Sequence, residues 1–328
     1  MKELRGLRAV VTGGAGFLGA TLCAALAARG AKVVAIDAML PGTGANRANL
    51  DGVDATLVEA DLRTAELAPL LAGADAIFHL AAHTSHMGSQ ADPRHDLAEN
   101  ADATLRLILA ARAAAPKARV VYASTRQLYG RPRTLPVAEH HPVDPPDANA
   151  VSKWAAEQYW LLETKVHGRP VVSLRLTNCY GPRLRIADAR QTFLGLWIRR
   201  VLEGEAFEVW GGEQRRDLAY GEDVAEAFIA ALDAPPGVYN VGGSPDVSLR
   251  DLADLLVRAN DGAGAFRVVP FPPERAKIDI GSYIADDRAF RSATGWAPAV
   301  SLEDGLRRTL AWFRPRLARY VRPEEGST

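Results

Sequence analysis

The chain has 328 residues and no formal net charge, with 48% hydrophobic and 24% charged residues. Such a balance is that of a globular protein of one large or two closely joined domains. It gives no general attraction to nucleic acid or to an anionic membrane, so an acidic ligand would have to be met by local arginines. The two cysteines, Cys23 and Cys179, supply neither a disulfide framework nor a metal-ligand spacing.

Ala9-Val10-Val11 reads as a first strand, followed by glycines and a helix from about Phe17 to Arg29. Cys23 falls in that apolar helix and reads as a buried thiol. Lys32 to Ile36 is a second strand ending at Asp37, and Ala55 to Val58 a third ending before Asp61. Ala76 to Leu80 is a fourth, with a long helix from about Leu97 to Ala114 behind it. Arg119 to Ser124 is a fifth strand, followed by a proline-rich loop. A second long helix starts near Asn149 and runs to about Val166, before a sixth strand at Val171 to Leu176.

Strands alternating with helices at this spacing predict a doubly wound parallel α/β sheet (the Rossmann type), with its ligand beyond the carboxyl ends of the strands. The second half is less regular. Helices are expected near Thr192–Glu203, Val224–Ala231, Leu249–Asn260 and Leu302–Arg314, and Gly237 to Val241 reads as a strand rejoining the main sheet. The predicted division is a cofactor domain of residues 1–178 plus about 218–243, and a smaller α/β substrate domain of about 179–217 plus 244–328. Glu324 to Thr328 reads as a frayed tail. A strand so near the start and the lack of long apolar runs argue against a signal peptide or membrane span, and predict a reducing cytoplasm.

The segment Thr12-Gly13-Gly14-Ala15-Gly16-Phe17-Leu18-Gly19 joins the first strand to the first helix. Glycines let the backbone turn tightly and approach a pyrophosphate, and the helix start then offers free N–H groups to that anion. Asp37 ends the second strand about 20 residues on, where a carboxylate can accept from both ribose hydroxyls. It would repel a 2′-phosphate, so the pattern predicts NAD rather than NADP.

Beyond these residues the sequence resembles the extended short-chain dehydrogenase/reductase family, and within it the NAD-dependent nucleotide-sugar epimerases and dehydratases. The resemblance rests on Gly13-xx-Gly16-xx-Gly19, Asp61-Leu62, His79-Leu80-Ala81-Ala82, Asn100, Ser124-Thr125-xxx-Tyr129-Gly130 and Ser152-Lys153. It continues through Arg175-xx-Asn178-x-Tyr180-Gly181-Pro182, Arg216-Asp217 and Gly295-Trp296-x-Pro298. It implies cofactor contacts at Gly13, Gly16, Phe17, Leu18, Gly19 and Asp37, with Asp61 and Leu62 flanking the adenine. Leu80, Ala81, Ala82 and Asn100 would complete that set, and Lys153 would bond the nicotinamide ribose. On the substrate side it implies Ser85, Thr125 and Asn178, with Arg216 and Arg275 on the diphosphate. Thr192 and Phe193 would line the nucleotide pocket. It also implies a homodimer through helices 97–114 and 149–166, for which Leu105, Leu109, Trp154 and Leu161 are candidates.

The catalytic set departs from the family pattern. The hydroxyl base is usually a tyrosine four residues before the lysine, and that position is Asn149. An amide can orient a hydroxyl but cannot take its proton. Where the dehydratases carry an acid pair after the threonine, this chain has Arg126-Gln127. The loop after the fourth strand offers His83 and His86 as substitutes, because imidazole titrates near neutral pH. His79 reads as structural, and His95, His140 and His141 as solvated. Thr125, Lys153, Asn149, His83 and His86 are thus the candidate catalytic residues, and no metal is expected. Three readings stay open: epimerisation through a transient 4-keto sugar, dehydration with a reassigned acid or base, and an NAD-binding sensor or partner protein without hydride transfer.

Overall fold

The computed structural model describes residues 3–189, 192–243 and 245–321; the expected frayed tail, Glu324 to Thr328, lies outside them. Seven strands form the central sheet: β1 (Arg8–Thr12), β2 (Lys32–Asp37), β3 (Ala55–Glu59), β4 (Ala76–His79), β5 (Arg119–Thr125), β6 (Val171–Leu176) and β7 (Gly237–Val241). All pair in parallel, in the order β7-β6-β5-β4-β1-β2-β3. The mostly apolar central strands β1, β4, β5 and β6 are buried on both faces, whereas the edge strands β3 and β7 are partly exposed. The segment expected to rejoin the sheet does so as β7.

Seven longer helices follow in chain order: α1 (Phe17–Ala27), α2 (Ala103–Ala114), α3 (Ala148–His167), α4 (Phe193–Glu203), α5 (Gly221–Ala230), α6 (Leu249–Ala259) and α7 (Leu302–Phe313). On one face, Leu22, Cys23 and Leu26 of α1 and Val224, Ala227 and Phe228 of α5 share a core with Val11, Phe78 and Val121. On the other, Leu107 and Ile108 of α2 and Ala156 and Trp160 of α3 pack on Val10, Ile77 and Val120. A further core joins α4, α6 and α7 through Trp197, Leu252 and Phe313. It carries a small parallel pair, 207–210 with 266–269.

The helix expected over 97–114 differs in kind. It begins earlier, at Pro93, where Asp92 caps the first turn, and passes through a π-turn at Ala98–Asp102 before α2. A π-turn carries one extra residue and re-aims the side chains around it. Here it turns Asn100 toward the loop that leaves β4.

Register brings the strand ends level. Thr12 pairs with both Ile36 and His79, and Thr125 pairs with Leu176. The connections after β1 to β6 therefore open on one edge of the sheet. The strand order reverses beside β1, between β2 and β4, which in such sheets opens a crevice.

Candidate active site

The crevice is a cleft of about 990 Å³. Its floor is the turn after β1. Gly13 has φ +70, and a Cβ there would lie 2.8 Å from the Ala81 nitrogen. A Cβ on Gly19 would lie 2.0 Å from the Gly13 carbonyl oxygen. No side chain caps α1 at Gly16, so the first N–H groups of that helix have no side-chain partner there. The result is a backbone cradle that fits an anionic pyrophosphate.

Gly13, Gly16, Phe17, Leu18, Gly19, Asp37, Asp61, Leu62, Leu80, Ala81 and Ala82 all line this cleft. Asp37 accepts from the Ala15 nitrogen at 3.0 Å and the Met39 nitrogen at 3.0 Å. Burial outweighs those bonds and raises its pKa. Asp61 is gripped by Arg63, whose hydrogen bond holds its carboxyl below the usual range. Asn100 is placed differently from the others. It is buried behind the loop, where its Oδ1 accepts from the His83 nitrogen at 3.0 Å and its Nδ2 donates to the His83 carbonyl at 3.2 Å.

Lys153 and Thr125 both line the cleft near the end of β5. The ammonium of Lys153 donates to the Ala123 carbonyl at 2.6 Å and sits 4.5 Å from the centre of the Tyr122 ring. Burial drives its pKa down from 10.5 to about 7. The Thr125 hydroxyl accepts from the Gln127 nitrogen at 3.2 Å, which caps the short turn that follows β5.

Asn149 does not project as a free group. It is buried, and its Nδ2 donates to the His83 carbonyl at 2.6 Å and to Asp96 Oδ2 at 2.9 Å. The same Asp96 oxygen lies 2.9 Å from His83 Nδ1. That carboxylate, hydrogen-bonded to the ring, raises the His83 pKa. Burial alone would raise Asp96, but bonds from His83, Asn149, Ser152 and Asn100 more than offset it, and the net shift is downward. His83 thus has a fixed ring, one nitrogen on a buried carboxylate, and an Nε2 without a hydrogen bond among the described residues.

His86 opens a short helix, His86–Ala91, rather than lying in a loop; the Ser85 hydroxyl caps it, accepting from the Gly88 nitrogen at 3.0 Å. Its Nδ1 is 2.9 Å from Asp147 Oδ2, without the alignment of a hydrogen bond. Asp147 is meanwhile the α3 cap and accepts from Gln127. His79 is wholly buried between the Thr12 and Thr104 hydroxyls, and burial pushes its pKa down to about 3. His141, expected in solvent, is buried instead. It accepts from the Arg133 nitrogen at 3.0 Å through Nε2, and its Nδ1 meets the Pro142 carbonyl at 2.8 Å. His95 and His140 are exposed as expected.

A second cavity of about 840 Å³ adjoins the cleft and holds Arg216, Arg275, Thr192 and Phe193. Arg216 is buried and donates to the carbonyls of Arg215 and Gly281, leaving Nε without a partner. Burial, and then the charge of Arg126, lower its pKa to about 9. Arg275 stacks 4.7 Å over Trp210. Ser85 and Asn178 line both cavities, so they mark the passage between them. Among the described residues no group of His, Cys, Asp or Glu is placed to hold a metal ion, and no helix is long and apolar enough to cross a membrane.

The sequence model of the NAD dependent epimerase/dehydratase family matches residues 9–242. The chain belongs to that family. Its cofactor is NAD, which the glycine cradle, Asp37 and Lys153 fit. The UDP-glucose 4-epimerase of Mycolicibacterium smegmatis is 33% identical over 314 residues, covering 94% of this chain and 99% of that one. The UDP-glucose 4-epimerase of Thermotoga maritima, solved with UDP-glucose, superposes with a TM-score of 0.87 at 27% identity, covering 95% and 100%. The UDP-glucuronic acid 4-epimerase of Bacillus cereus, solved with UDP-glucuronic acid and NAD, gives 0.84 at 26%, covering 94% and 99%.

Within this member of the family, sequence reasoning missed two site residues. Asp96 was not singled out at all, and only the fold shows its carboxylate behind His83. Arg126 was noted as a departure from pattern, but not as part of the wall between the two cavities. The signal for Arg126 was present: a charged residue directly after Thr125, at the end of a strand buried on both faces.

Proposed function

We propose that this enzyme inverts C4 of a sugar linked to a nucleoside diphosphate, with His83 in place of the usual tyrosine as the proton-transferring group. The observation that carries this is the His83–Asp96 pair in the cleft. Asp96 takes the Nδ1 side of the ring, which leaves Nε2 as the acceptor for a hydroxyl proton. Asn149 holds the His83 carbonyl and Asp96, so it positions the base rather than replacing it. Bound NAD supplies the hydride acceptor and donor. Thr125 holds the reacting hydroxyl, Lys153 the cofactor ribose, Ser85 and Asn178 the sugar, and Arg216 and Arg275 the diphosphate. The 4-epimerase relatives support inversion at C4 and UDP as the nucleotide.

The test is to give NAD-loaded protein UDP-glucose and UDP-glucuronate deuterated at C4 and follow both by NMR and mass. The expected product is the C4 epimer, with its deuterium retained and its mass unchanged. Loss of a water would favour the dehydratase reading, and no inversion of either sugar would sink the proposal.

We also propose that residues 97–114 and 149–166 pair with a second copy of the chain. Leu97, Leu109, Val151, Trp154, Leu162 and Val166 are exposed on this surface, whereas Leu105 and Leu161 are half-buried. An apolar patch of this kind marks an interaction face. Sedimentation should show a dimer, and Trp154→Glu a monomer that still binds NAD. A native monomer would rule the pairing out. The free cysteines, Cys23 and Cys179, support a reducing cytoplasm as the location.

A further inference from the structure

Among the described residues, Arg126 is the one arginine or lysine in the wall shared by the two cavities. Its guanidinium is fixed from two sides. Nη2 donates to Asn178 Oδ1 at 2.8 Å, and the group lies 5.2 Å over the ring of Tyr283. Nη1 is out of solvent and has no hydrogen-bond partner among the described residues. The acids whose charge bears on it, Asp217 and Asp279, are committed elsewhere. Asp217 accepts from the Thr177 hydroxyl and the Ala285 nitrogen, and Asp279 from Gln214 and the Gly281 nitrogen. No carboxylate of the described residues forms an ion pair with Arg126.

A desolvated guanidinium without a counter-charge is costly, so it is retained where a ligand brings the charge. Position decides which part of the ligand this is. Arg126 directly follows Thr125, at the end of β5 where the reacting hydroxyl is held. Arg216 and Arg275 line the second cavity and not the first, and the proposed function assigns them to the diphosphate. The free edge of Arg126 therefore meets the sugar, not the nucleotide. A planar guanidinium with one nitrogen anchored is matched to a planar carboxylate.

We propose that the sugar this enzyme takes carries a carboxylate, a uronic acid, and that Arg126 is the residue that selects it. The proposal rests on the reading that the paired cavities take a nucleotide-linked sugar. Asn178 and Tyr283 position the guanidinium. A neutral hexose would leave Nη1 unpaired, and that loss is the source of the discrimination.

Calorimetric titration of the NAD-loaded protein with UDP, UDP-glucose and UDP-glucuronate tests this. UDP-glucuronate should bind about tenfold or more tightly than UDP-glucose. Arg126→Gln should erase that preference and leave the affinity for UDP unchanged. Arg126→Lys, which keeps the charge, should retain a reduced preference and guards against a folding defect in the first variant. Equal binding of the two sugars by the native protein overturns the proposal. So does a matching loss of UDP affinity in Arg126→Gln, because Arg126 would then serve the diphosphate. If neither UDP nor either sugar binds, the nucleotide-sugar reading itself has failed and the proposal falls with it.

Discussion

At the glycine end of the cleft the recognition groups are backbone: a turn at Gly13–Gly19, packed so closely that a Gly13 Cβ would lie 2.8 Å from the Ala81 nitrogen, and a helix start without a side-chain cap. At the Lys153 end they are side chains drawn from distant parts of the chain. His83, Asp96, Asn149 and Lys153 come from the loop after β4, the turn before the π-segment and helix α3. Backbone recognition depends on local conformation and tolerates variation around it. A side-chain cluster depends on every member and can be rebuilt by exchanging one. The loss of the usual tyrosine falls at the end where exchange is possible.

The sharpest way to separate the two ends is His83→Gln. The backbone N–H and carbonyl of residue 83 make the bonds to Asn100 and Asn149, so the loop keeps its anchors without the imidazole. Loss of general-base help should lower kcat by about 10² to 10⁴. NAD affinity should not change. A variant with near-native kcat would remove His83 from the chemistry. Asn149→Tyr adds a discriminating case. The tyrosine removes the shorter of the two amide bonds to the His83 carbonyl and one of the bonds to Asp96, so it should be less active than the native chain. A gain in activity would mean that the usual phenol still works here, against His83.

Asp96→Asn should cost roughly a hundredfold in kcat, because an amide can favour the wrong ring tautomer. It also gives a signature that a structural defect would not. Asp96 raises the His83 pKa, so removing its charge lowers that pKa. The neutral imidazole, the form that accepts a proton, then persists to more acid conditions. The acid limb of the kcat profile should therefore move to lower pH. An unmoved limb would detach Asp96 from the titrating group.

At the other end, Gly19→Ala should weaken NAD binding by roughly 10- to 100-fold, since a Cβ at 2.0 Å from a carbonyl forces the turn apart. Fluorescence titration of NAD would show it, and native-like affinity would mean the cradle can relax.

The same contrast explains what the sequence disclosed. Strands β1 to β6, the glycine turn and Asp37 were legible because each is a local pattern: a short apolar run, a conformational requirement, a residue at a strand end. The rejoining strand β7 was legible for the same reason. The π-turn at 98–102 was not, because nothing in Ala98-Glu99-Asn100 marks an extra residue until the loop after β4 is packed on it. Asp96 and His83 are 13 positions apart, and Asn149 and His83 are 66 apart. No periodicity links positions so separated. His141 misled for a related reason: its polar neighbours in sequence are not its neighbours in space.

The smallest effect concerns what the Lys153 end costs the fold. Burial takes the Lys153 pKa from 10.5 to about 7. Between those values the unfolded chain holds a proton that the folded chain has released. Stability must then rise with pH across that window, by on the order of 1 kcal/mol per unit. His79 is driven down to about 3 and titrates on unfolding only below its ordinary 6.5, so it does not contribute above pH 7. Urea midpoints of the NAD-free protein at pH 7.5 and 8.5 (about the middle of the window) should therefore increase for the native chain. In Lys153→Met that increase should be absent. If both proteins show the same slope, Lys153 is charged in the fold without penalty. The ammonium would then be held by Ala123 and Tyr122 at no cost, and the Lys153 end would be as settled without its ligand as the glycine end.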